Sequence, residues 1–75
     1  MQTREACAAR LETLYTHERA IVLEFLDELE EFDRRSWYAP FGFSSTFAYL
    51  SEKLGMSDGT AFRRIRVARL MRRFP

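Results

Sequence analysis

The chain has one cysteine, one histidine, two prolines and three glycines in 75 residues. A lone Cys and a lone His cannot build a disulfide framework or a structural metal site. So few turn-forming residues disfavour an all-β fold, which needs many tight turns. No run approaches the roughly 20 apolar residues of a membrane span. The N-terminal MQTREACAAR carries charge at once and has no apolar signal core, so a cytoplasmic protein is expected, with no membrane partner. Cys7 suits that reducing setting as a small helix filler. There is no Gly-rich phosphate loop. Nothing points to a cofactor or small-molecule ligand.

What is present is a folding composition: 47% hydrophobic, 15% aromatic and 31% charged residues. A chain of this size buries only about 60% of its unfolded surface and is too short for a barrel or a doubly wound sheet. The net charge of +1 hides a division. Residues 1–33 hold three arginines against nine acids, a net −6; residues 34–75 hold eight arginines and Lys53 against Glu52 and Asp58, a net +7. An acidic and a basic half suggest different jobs.

The spacing predicts an all-α domain of three, possibly four, helices. Residues 1–35 read as a long acidic amphipathic helix, with Leu11, Tyr15, Val22, Phe25, Leu29 and Phe32 at helical steps and Glu18 interrupting the stripe. Thr16 is able to cap a new helix, so a break at 16–17 is one alternative. Unbroken, some 30 residues would span about 45 Å, too long for a compact domain of this size. The far end would then pack against another chain.

In the connector 34–43, Pro40 and Gly42 are expected to stop the helix, while Trp37, Tyr38, Phe41 and Phe43 cover the junction between helices. Ser44 or Ser45 caps a second helix to about Leu54, with Phe47, Leu50 and Leu54 inward. Gly55 and Met56 form its C-terminal turn. Ser57 caps a third helix from Asp58 to about Phe74, and Pro75 ends the chain.

Residues 44–75 thus have the layout of a basic helix-turn-helix-like half. Leu50, Leu54, Met56 and Ala61 fall at its apolar positions, and Ser51 permits close approach. Arg64 falls where an apolar residue is usual, and Ile65 lies one step late. Six arginines lie between 63 and 73. Arg66, Arg69 and Arg73 share a stripe with Phe62, beside Arg63. Ala61, Ile65 and Ala68 form one apolar face and Val67, Leu70 and Phe74 another, so burial on two sides is expected. Arginine's planar fork suits phosphate and guanine edges. The competing reading pairs the basic helix with acids of the first, Glu24, Asp27, Glu28, Glu30 and Glu31 being candidates.

No catalytic constellation is visible. His17 stands apart, Glu30 and Glu31 occupy different helix faces, and Ser44, Ser45 and Ser57 read as caps.

The segment from Glu31 to Pro75 resembles the N-terminal helical region of bacterial HNH endonuclease-like proteins. The likeness is carried by Tyr38, Gly42-Phe43-Ser44-Ser45, Tyr49-Leu50, Leu54-Gly55-Met56-Ser57, Ala61-Phe62-Arg63-Arg64-Ile65, Ala68-Arg69 and Phe74-Pro75. The His-Asn-His nuclease motif of that family is absent. The resemblance therefore implies an accessory helical module, DNA-engaging or dimerising, and not cleavage.

The leading expectation is non-enzymatic binding of double-stranded DNA. Arg63, Arg66, Ser57 and Thr60 would lie nearest the bases, and Lys53, Arg69, Arg72 and Arg73 would meet phosphate. The first helix would form a homodimer. The alternative is a helical protein-interaction module that does not touch nucleic acid.

Overall fold

The computed structural model describes residues 3–74; Met1, Gln2 and Pro75, the last residue of the family likeness, lie outside them. The described residues are helical, without a strand. Helix α1 runs Arg4–Arg34, opened by Thr3, whose Oγ1 accepts from the Ala6 amide at 3.1 Å. It does not break at 16–17. Thr16 turns its hydroxyl back onto the Glu12 carbonyl at 3.0 Å, as Thr13 does onto Ala9 at 3.2 Å. A threonine bonded in this way sits inside a helix and caps nothing. The helix accounts for most of the 50 Å long axis of the molecule.

Helix α1 ends at Arg34, well before Pro40. Ser36 takes φ +52°, and the Trp37 amide closes back on the Phe32 carbonyl at 3.0 Å. This is the left-handed helix ending that glycine usually supplies. Pro40 and Gly42 (φ +88°) instead shape a short 3₁₀ turn, Ala39–Phe41. Behind it Tyr49 gathers Phe32, Phe41 and Phe43, with ring centroids 4.7, 6.1 and 5.2 Å away. Of the four aromatics expected to cover the junction, Tyr38 and Phe43 are half-buried, while Phe41 touches Tyr49 but stays 65% exposed. Trp37 is exposed instead, with Arg35 stacked 5.1 Å from its ring centre.

Ser45 caps the second helical segment, accepting from the Ala48 amide at 2.9 Å. The segment starts as one α turn, α2 (Thr46–Ala48), and continues as a wider π turn, Tyr49–Lys53. The wider turn changes which side chains point inward. Leu50 is buried, but Leu54 is 50% exposed and Phe47 also faces outward, contrary to the inward stripe expected for these three. Gly55, at φ +70°, lets the Met56 amide reach back to the Leu50 carbonyl at 3.0 Å. Helix α3 follows as Asp58–Met71, ending before Phe74.

The core is small: Leu26 and Leu29 of α1, Leu50, and Ala61, Ile65 and Ala68 of α3, flanked by Val22, Phe25, Tyr49, Met56 and Met71. Ala61 and Ala68 are fully covered, because only a methyl group separates the α3 backbone from its neighbours there. Arg64, at the position where an apolar residue was expected, lies over the Phe25 ring at 4.9 Å. The second apolar face of α3 is not buried: Val67, Leu70 and Phe74 all face solvent. Burial is therefore one-sided, since α1 and the second segment meet the same side of α3. No described helix is long and apolar enough to cross a membrane.

Candidate nucleic-acid interface

The end of α1 meets the end of α3 through one carboxylate. Asp33 has a side chain only 5% exposed, and three elements converge on it. Arg69 grips it with both arms of its fork, Nε to Oδ2 at 2.9 Å and Nη2 to Oδ1 at 3.1 Å. Arg72 donates to Oδ2 at 2.6 Å and to Glu30 Oε1 at 3.2 Å. Thr46, buried at the start of the second segment, donates its hydroxyl to Oδ1. Such charge-assisted, bidentate contacts are the strong class of hydrogen bond. They outweigh the cost of burying Asp33 and lower its pKa from 3.8 to about 2, the Arg69 bond contributing most. The same bond raises the Arg69 pKa further above its ordinary value.

This clamp divides the arginines of α3. Arg69 and Arg72, expected at phosphate, are held by α1, so the competing pairing of basic and acidic helices holds for these two. Glu30 was among the acids foreseen for it; Asp33 was not. Among the described residues, Lys53, Arg63, Arg66 and Arg73 have no carboxylate within ion-pairing distance, and all four are exposed.

Arg66 and Arg73 edge an open groove of about 700 Å³ between the second segment and the outer face of α3. Its floor is Phe47, Phe62, Ile65 and Leu70, with Arg69 and Arg72 at the clamp. This apolar floor was not foreseen as part of the site, because Phe47 was expected to point inward.

At the start of α3 the expected base-reading group is partly occupied. Ser57 Oγ accepts from the Thr60 amide at 3.4 Å and donates to Thr60 Oγ1 at 2.9 Å. Arg63 in turn donates to Thr60 Oγ1 at 3.4 Å, which holds its guanidinium beside the helix N-terminus. Ser57 and Thr60 thus serve the cap first. Lys53 stands at the end of the second segment, ahead of the turn.

The site therefore comprises Arg63 and Arg66 on the outer face of α3, Arg73 just past its C-terminal end, Lys53 ahead of the turn, and an apolar trough beside Arg66 and Arg73. Comparison with family models, curated proteins and solved structures found no match to this chain.

Proposed function

We propose that this chain is a non-catalytic module that binds double-stranded DNA through α3, acts as a dimer joined by α1, and is an accessory of the HNH endonuclease-like type that its C-terminal half resembles. The observation that carries this reading is that Lys53, Arg63, Arg66 and Arg73 of the basic half are exposed with no carboxylate partner among the described residues, Arg63 and Arg66 on the side of α3 turned away from the core and Arg73 just past its end. Two arginines are already spent on the fold. Arg64 lies over Phe25, so Arg63, Arg66 and Arg73 remain, with Lys53, outside the pairing with the acidic first helix, and the planar guanidinium is suited to phosphate and to base edges. Helix α3 follows a tight turn and is held from behind by a second helical segment, as a recognition helix is.

Fluorescence anisotropy with a random-sequence duplex, repeated across a salt series, tests this reading. Four phosphate contacts per protomer give a log–log slope of about −3.6, at roughly −0.9 per contact. Absence of binding at low salt would overturn it.

One observation favours a protein-interaction module instead. The floor of the groove exposes Phe47, Phe62 and Leu70 side by side, and an apolar trough rimmed by arginine also fits an acidic amphipathic helix. On that reading the same arginines act without DNA.

A further inference from the structure

Helix α1 is used over only part of its length. Every described residue from Thr3 to Ile21 is exposed, and packing on α3 begins at Val22. Yet the apolar stripe does not stop there. Cys7, Leu11, Leu14, Ile21 and Phe25 follow the alternating four-three step of a coiled-coil seam, interrupted by Glu18. Leu11 is 63%, Leu14 46% and Ile21 63% exposed, so the seam is bare up to Phe25, which is half-buried beside the core.

We propose that this bare seam pairs with the seam of a second copy, antiparallel, about a two-fold axis near residue 16. The charges select the occupant and its direction. Among the described residues, neither Arg10 nor Glu24 has an ion partner within the chain. In an antiparallel register that sets Leu11 opposite Ile21 of the second copy, Arg10 flanks the seam beside Glu24 of the second copy. A parallel, in-register pair would instead put Glu18 against Glu18 inside the seam, two like charges in contact, and would leave Arg10 and Glu24 far apart along the helix. The antiparallel register places Glu18 beside Leu14 of the second copy, where its methylenes cover the leucine and its carboxylate reaches water.

This arrangement deepens the DNA-binding reading and rests on it for its meaning. α3 packs around Leu26 and Leu29, 10 to 13 residues beyond the axis. At 1.5 Å per residue the two α3 helices stand about 30–40 Å apart along α1, close to the roughly 34–36 Å between half-sites one DNA turn apart. The partner class is thus a second copy, and the nucleic acid it suits is a two-fold site of that spacing.

The exposed, free Cys7 supplies the probe. Spin labels on Cys7 of the full chain, without DNA, report their separation by double electron–electron resonance. The antiparallel pair offsets the two Cys7 positions by about 27 Å along the axis. A Glu5→Cys label in a Cys7→Ser background, on the outer face and clear of the seam, sits about 33 Å from its mate by the same arithmetic. Both distances should vanish in Ile21→Lys, while the helical signal of the chain persists. Short distances at both sites, as a parallel pair gives, or no dipolar coupling at concentrations of about 100 μM, would overturn the proposal. Either result leaves DNA binding to be judged separately by anisotropy, and failure of DNA binding leaves the measured dimer geometry standing.

Discussion

The two parts of α1 share one helix and one apolar stripe and have different fates. From Val22 onward the helix is buried against α3 and tied to it by Asp33 and Glu30. Before Val22 it has the same kind of leucines and no neighbour in the chain. The difference shows that a hydrophobic period specifies a helix and a face but not what covers that face. The contrast on α3 is parallel: the side bearing Ala61, Ile65 and Ala68 is consumed by the fold, and the side bearing Phe62, Arg66 and Arg73 is left for something else.

If that division is right, substitutions with similar chemistry have unequal effects. Leu29→Ala should cost about 3 kcal/mol, more than half of a total stability of the order of 5 kcal/mol. Leu14→Ala should move the monomer by no more than about 0.5 kcal/mol. Urea denaturation at low protein concentration separates the two, and equal costs would break the comparison.

Asp33→Asn comes next. The folded-state pKa of about 2 lies below the ordinary 3.8, so the carboxylate stabilises the fold. That shift is worth about 2 kcal/mol, fully present above about pH 4 and lost as the pH falls toward 2. The asparagine variant should lose this amount at pH 7 and show a flatter stability profile between pH 4 and 2. An unchanged profile would mean that the clamp contributes little.

Ser57→Ala should cost about 1 kcal/mol by removing the cap of α3. DNA affinity should fall no further than the added unfolded fraction explains. A larger fall in affinity at unchanged stability would return Ser57 to the base-reading role expected from sequence. The smallest effect is Ser36→Gly, which should raise stability by about 0.5 kcal/mol, because Ser36 holds φ +52° where glycine is unstrained. A loss of stability there would show that the serine side chain matters to the turn.

Much of this architecture is legible in the residues. Ser45, one of two serines offered for the cap of the second segment, and Ser57 cap their segments, Gly55 ends the second, and Ala61, Ile65 and Ala68 form the buried face of α3. Those features depend on local chemistry. Local spacing does not reveal the π turn at Tyr49–Lys53, and with it the outward Leu54, because one extra residue in a turn leaves no compositional mark. Nor does it reveal which acid meets the arginines. Asp33 is one of nine acids in the first 33 residues, and only the return of α3 against the end of α1 singles it out. The candidate site was legible as a cluster of arginines. Its division into Arg69 and Arg72, which hold the fold, and Arg66 and Arg73, which remain exposed, was not.

That division is tested most directly by the DNA affinity of Arg66→Glu combined with Arg73→Glu, read by anisotropy beside a thermal melt of the same sample. The expected result is loss of measurable binding at low salt with a melting temperature within about 8 °C of the parent chain, since two exposed substitutions together typically change stability by no more than about 1 kcal/mol. Unaltered affinity, or a collapse of the melting temperature, would contradict it and give these arginines to the fold or to a protein partner.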